Sequence, residues 1–111
     1  MSKYGNRKTV IDGYTFDSKL EADYYCQLKL LKRAGHITDF KLQPRFTLQD
    51  AYVHRFTRKR IQKIEYVADF LVIYPNHQEI VDCKGMKTAL YLMKKKIFEY
   101  KCPDLQIKEV S

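Results

Sequence analysis

The stretch from Glu65 to Gly85, E-Y-V-A-D-F-L-V-I-Y-P-N-H-Q-E-I-V-D-C-K-G, decides the fold. Two apolar runs flank Pro75-Asn76-His77, and that combination predicts a β-hairpin. Proline at the first turn position suits a type I turn and excludes a two-residue I′ turn, which needs positive φ there. A loop of three or four residues is therefore expected. Asp69 interrupts Val67, Ala68, Phe70 and Leu71, although an unpartnered carboxylate in a strand interior is costly. Positions 69 and 82 are equidistant from a point between Pro75 and Asn76, so closing the hairpin there sets Asp69 opposite or nearly opposite Asp82. Cross-strand neighbours lie about 4.5–5.5 Å apart at Cβ, close enough for like charges to repel. Alternation returns Lys84 to the face of Asp82. Two carboxylates and an ammonium thus converge on an otherwise apolar sheet. A divalent cation resolves the repulsion, and oxygen ligands at this spacing suit Mg²⁺.

Composition sets the wider frame. A chain of 111 residues is expected to form one domain with a single core. Its 21 Lys and Arg against 13 Asp and Glu leave a net charge of +8. That excess favours a polyanionic partner, nucleic acid first and an anionic membrane surface second. No apolar run approaches the length of a membrane span and no hydrophobic leader opens the sequence, so a cytoplasmic protein without membrane contact is expected. Cys26, Cys83 and Cys102, with His36, His54 and His77, form no zinc-binding spacing, so reduced core thiols are expected.

Residues 1–9, with Lys3, Arg7 and Lys8, read as a basic lead. Residues 10–17 read as a tight hairpin, because Asp12-Gly13 favours positive φ. The core is expected over 18–110. Ser18-Lys19-Leu20-Glu21 is a capping-box sequence opening a helix to about Ala34, with Gly35 placed to end it. Leu20, Tyr24, Leu28 and Leu31 form the expected packing stripe, with Cys26 and Leu30 beside it. Glu21 has two readings: it bonds back to the Ser18 backbone as a cap, or it leans over the sheet as a third carboxylate. The segment 37–48 reads as the first strand, bent at Gln43-Pro44. The run from Tyr52 to Lys63 carries Arg55, Arg58, Lys59, Arg60 and Lys63 and no acid. Such a run is either a solvated strand end or a phosphate-binding patch, and its lead into the strand bearing Asp69 favours the patch. After the hairpin, Met86–Lys101 reads as a second helix with Thr88 as a cap. Leu90, Met93, Ile97 and Tyr100 form its expected core stripe. Lys94, Lys95 and Lys96 fall on the remaining surface, where Lys94 or Lys95 can reach a phosphate. Pro103 ends the helix, and Leu105, Ile107 and Val110 make a last strand parallel to a neighbour.

The resulting order, helix, three strands, helix, strand, carries an acid on the first helix, Asp on the second strand and D-x-K on the third. It resembles the PD-(D/E)XK nuclease fold, an α+β, restriction-endonuclease-like αβββαβ core with a mixed sheet flanked by two helices. Phe16-Asp17-Ser18-Lys19-Leu20-Glu21-Ala22, Gln43-Pro44, Tyr66-Val67-Ala68-Asp69-Phe70 and Val81-Asp82-Cys83-Lys84-Gly85 resemble small phage and prophage endonucleases. Those are related at the fold level to archaeal Holliday-junction resolvases. The similarity spans nearly the whole chain. Ala68 stands where the family has a nominal proline, and the second helix lacks the Gln-x-x-x-Tyr motif of RecB-like exonucleases.

The resemblance implies that Asp69 and Asp82 hold Mg²⁺, with Mn²⁺ a substitute. Glu21 would complete or water-link the shell, the Cys83 carbonyl would add a ligand, and Lys84 would position or activate the attacking water. It implies an endonuclease acting on duplex or branched DNA, in phage recombination, replication or junction processing, within the host cytoplasm. A homodimer is expected, since cutting two strands takes two sites. Two other readings stand beside it. A non-catalytic nucleic-acid-binding module needs only the basic surface, and a structural ion cluster of Asp69, Asp82 and Lys84 needs no ligand at all.

Overall fold

The structure is a computed structural model describing residues 8–111; residues 1–7, most of the expected basic lead, lie outside the described residues. It is an α+β arrangement of two helices and a mixed sheet, with the expected element order and several strands divided. Strands β1 (Thr9–Ile11) and β2 (Tyr14–Phe16) form the leading hairpin. Its turn places Asp12 at φ 54° and Gly13 at φ 82°, the positive pair that Asp-Gly favours.

Helix α1 spans Lys19–Arg33. The Ser18 hydroxyl accepts the Glu21 N–H at 3.1 Å. At the other end Gly35 takes φ 81°, and two bonds, Gly35 N–H to the Lys32 carbonyl and His36 N–H to the Leu31 carbonyl, close a Schellman motif. The packing stripe is rotated from the expected one. Glu21, Ala22, Tyr25 and Leu28 are buried, whereas Leu30, Leu31 and Cys26 are exposed. Tyr25 wins the inner position because its ring packs among Phe16, Tyr14 and Phe40 while its hydroxyl donates to Asp12, tying the helix to the leading hairpin. Cys26 is therefore not a core thiol.

The next segments are β3 (Asp39–Leu42), β4 (Arg45–Gln49), β5 (Tyr52–Val53), β6 (Arg60–Ile61), β7 (Ile64–Val67), β8 (Phe70–Ile73) and β9 (Gln78–Cys83). The expected first strand is thus two, as is the first arm of the Glu65–Gly85 hairpin. β3 pairs with β8 and β4 with β7, both antiparallel, and both breaks fall at one level, Gln43-Pro44 facing Ala68-Asp69. Two bonds bridge the break, Gln43 N–H to the Asp69 carbonyl and Ala68 N–H to the Pro44 carbonyl. β5 and β6 continue the ladder outward, so residues 39–73 form one long antiparallel arm bent at Asp69.

β8 and β9 pair from Phe70↔Val81 to Ile73↔Gln78 around Tyr74–His77, a four-residue connection closed by the Tyr74 N–H to His77 carbonyl bond. Helix α2 (Ala89–Lys101), capped by Thr88, crosses over to β10 (Gln106–Val110), which lies parallel to β9. The main sheet runs β10-β9-β8-β3. Adjacent residues of β9 separate two cores: Val81 packs with Phe70, Val72 and the α1 residues, Ile80 with Tyr66, Tyr91 and Phe98 of the α2 side. The helices therefore flank the sheet.

The α2 stripe also differs from expectation. Tyr91 and Phe98 are buried, while Leu90 is 56%, Met93 53% and Tyr100 87% exposed. The large rings fill the gap against Phe46 and Tyr66, which turns the Leu90 row outward. No helix among the described residues is long and apolar enough to cross a membrane.

Candidate active site

Asp69 sits where the arm bends, and the backbone there explains its orientation. Its N–H donates to the Val81 carbonyl at 3.1 Å, although Phe70 is the register partner of Val81. Two residues thus oppose one, the mark of a β-bulge, a device that re-aims side chains. The cores show the change of face: Tyr66 and Ala68 pack on the α2 side, Phe70 and Val72 on the α1 side, despite their even spacing. The Asp69 carboxylate accepts the Cys83 N–H at 2.7 Å, which pins the start of β8 to the end of β9. The hairpin geometry expected from the sequence is present, with Asp69 one step below the last paired residues and next to Asp82.

Asp82 is fully buried. One carboxylate oxygen, Oδ2, accepts the Tyr66 hydroxyl. The other, Oδ1, has no hydrogen bond and faces the Lys84 ammonium at 3.7 Å. Burial raises the Asp82 pKa, and the bonds from Tyr66 and the charge of Lys84 only partly oppose this. Lys84 lies over the Tyr91 ring, 4.6 Å from its centroid, and the Tyr91 hydroxyl donates to Glu109 at 2.8 Å. Lys84 is thus held between an acid and an aromatic face. Burial, then the acid each hydroxyl meets, pushes both tyrosine pKa values upward, so both remain donors.

Glu21 reaches the same region from α1. It is 5% exposed. Burial first, then the charges of Asp69 and Asp17, push its pKa up to about 7, against a backbone bond from Asp17. Burial likewise pushes Asp69 up to about 6, opposed by the Cys83 N–H and aided by the charge of Asp82. Glu21, Asp69, Cys83 and Lys84 line one cavity of about 560 Å³, together with Asp17, Ser18, Gly85, Met86 and Thr88. Asp82 does not line it; it lies behind, against Tyr66. Burial first, then the surrounding acids, push the Cys83 thiol up to about 12, so it is no nucleophile. Among the described residues, no three acidic, histidine or cysteine side chains form a ready-made cation cage.

None of the expected phosphate-binding residues lines this cavity. Arg55 and Arg58 lie in the turn that joins β5 to β6, with Lys59 and Arg60 beside it. Lys63 pairs with Glu65 at 3.4 Å. On α2, Lys95 pairs with Glu109 at 3.4 Å and is partly buried, and Lys94 is half-buried. The expected phosphate patch is the far end of the arm rather than the rim of the acid cluster.

A family model described as "Protein of unknown function (DUF1064)" matches residues 1–111. The chain belongs to that family. No curated protein and no solved structure matches it. For this DUF1064 chain, chemistry therefore has to come from the residues themselves. Two of them, Tyr66 and Tyr91, escaped the sequence reading. A tyrosine in a strand interior three residues before an acid was the available signal, since a buried hydroxyl needs a partner. Tyr91 left none, because only the packing of α2 brings it to Lys84.

Proposed function

We propose that the chain is a Mg²⁺-dependent endonuclease of PD-(D/E)XK type that hydrolyses phosphodiester bonds in duplex or branched DNA. In this reading it works as a homodimer in the cytoplasm, that of the host where a phage encodes it, and Mn²⁺ replaces Mg²⁺. One observation carries the reading: Glu21 and Asp69 share a cavity with Lys84, and behind them Asp82 keeps a buried oxygen without a hydrogen bond. Three carboxyl groups, two in the cavity and one behind it, share the single ammonium of Lys84. Hard oxygen donors short of charge fit a small divalent cation. Asp69, Asp82 and the Cys83 carbonyl would hold it, with Glu21 completing the shell directly or through a water. Such an ion, when bound, lowers the pKa of a water and polarises a phosphoryl oxygen.

The protein's own part is positional. Asp82 and the Tyr91 ring hold the Lys84 ammonium at the cavity wall, where it offers a fixed positive charge to a phosphate on which negative charge accumulates. Water adds to phosphorus as the bond to one flanking sugar oxygen breaks. The Cys83 N–H fixes the Asp69 carboxylate, and Tyr66 fixes that of Asp82. The expected outcome is that Asp82→Asn and Lys84→Ala chains keep their circular dichroism while Mg²⁺-dependent cleavage falls by about 100-fold or more. Undiminished cleavage in both removes these residues from the chemistry. A second reading, a non-catalytic DNA-binding module, draws on the burial of Asp82 against Tyr66 and the lack of a ready cage among the described residues. Binding indifferent to Mg²⁺, with no cleavage by the wild-type chain, supports that one.

A further inference from the structure

The end of the arm is an exposed cationic feature, with Arg55, Arg58, Lys59 and Arg60 all exposed. Its turn is well built. The His54 N–H donates to the Lys59 carbonyl and the Arg58 N–H to the His54 carbonyl, each at 2.8 Å. The His54 ring nitrogen accepts the Phe56 and Thr57 N–H groups at 3.3 and 3.1 Å, and Arg58 takes φ 62°. This scaffold lifts Phe56 to the apex, where it is 86% exposed. Tyr52 and Val53 are also exposed along the ribbon. Arg55, Arg58, Lys59 and Arg60 surround the apex, and among the described residues none of the four forms an ion pair with an acid.

A structured turn that presents an aromatic ring among four unpaired cations matches a ligand with both phosphates and bases. We propose that residues 52–61 form a two-stranded ribbon that enters the major groove of B-form DNA, with Phe56 against the base edges and Arg55, Arg58 and Arg60 on the flanking phosphates. The B-DNA major groove, about 12 Å wide, admits such a ribbon. The deep, narrow major groove of an RNA duplex does not. Ten residue steps, running through β6 and β7, separate Lys59 from Asp69, at most about 33 Å at 3.3 Å per residue. That is close to one helical turn of DNA, about 34 Å, which lets the ribbon and the cavity meet the same side of a duplex. The groove contact rests on the DNA reading above but not on its chemistry.

The test uses the full chain, a 30-base-pair DNA duplex and an RNA duplex of the same sequence, with chelator present so that no cleavage intervenes. The expected result has four parts. Arg55→Ala/Arg58→Ala lowers the slope of log affinity against log salt by about 1.8, at about 0.9 per phosphate. Phe56→Ala weakens DNA binding about 10-fold, the loss of an apolar base-edge contact, with the slope unchanged. Guanine N7 methylation, which fills the major groove, weakens wild-type binding, and the RNA duplex binds more weakly than DNA. Wild-type affinity and slope in these variants overturn the proposal, as does binding that ignores N7 methylation or favours RNA. Loss of binding in the variants, from a chain that never cleaves with Mg²⁺, leaves the ribbon standing and removes the nuclease.

Discussion

One antiparallel ladder carries two opposite electrostatic environments. At the bend, Asp82 is buried against the Tyr66 hydroxyl and Asp69 is held by the Cys83 N–H, and the proton affinities of both are raised because burial weakens the charged form. At the far end, Arg55, Arg58 and Lys59 sit in water around an exposed phenylalanine. The difference teaches where stability and function compete. Acids gathered at the bend oppose folding unless something neutralises them, whereas the exposed cations of the arm contribute almost nothing to the fold. A site of the first kind is preorganised for a cation, one of the second kind for a polyanion.

Substitution should break the comparison unevenly. Tyr66→Phe leaves the buried Asp82 carboxylate without its hydrogen bond and should lower stability by about 1–3 kcal/mol in urea unfolding. Phe56→Ala, at the apex, should change it by less than about 0.5 kcal/mol. Equal effects at the two positions would erase the contrast.

The pH dependence sharpens it. Asp69 and Glu21 titrate near 6 and 7 in the folded chain, against about 4 when unfolded. Between those values the native state binds more protons. Their contribution is therefore full below about pH 4 and is lost as pH rises through 6 to 7. In metal-free buffer, Asp69→Asn should gain stability over wild type as pH is raised from 4.5 to 7.5. Parallel stability curves for the two proteins would show that Asp69 is not under that strain.

Much of the bend was legible. Strand alternation and the position of Pro75-Asn76 bring Asp69 beside Asp82 and Lys84 beside Asp82, since both follow from counting residues along a hairpin. Asp12-Gly13, Ser18 and Gly35 were legible for the same reason, each being a local rule about φ or a cap. The helix faces were not. Of the expected α2 row, Ile97 packs on the core while Leu90, Met93 and Tyr100 do not; periodicity alone does not say which of two apolar rows meets the sheet, and Tyr91 and Phe98 fill the larger gap. The bulge at Asp69 was hidden too, because the one-residue change of face costs the sequence no visible signal. It keeps Asp82 behind the cavity that Asp69 enters. The basic run was seen, but its distance from the acids depended on the arm continuing past β7.

The most direct test of the central claim is a calorimetric titration of Mg²⁺ into the purified metal-free chain at pH 7.5, beside Asp69→Asn and Asp82→Asn. Saturable binding by wild type, released by chelator and lost in both variants, is the predicted result. Wild-type and variant proteins that take up Mg²⁺ equally, or not at all, would contradict a cation site at the bend of the arm.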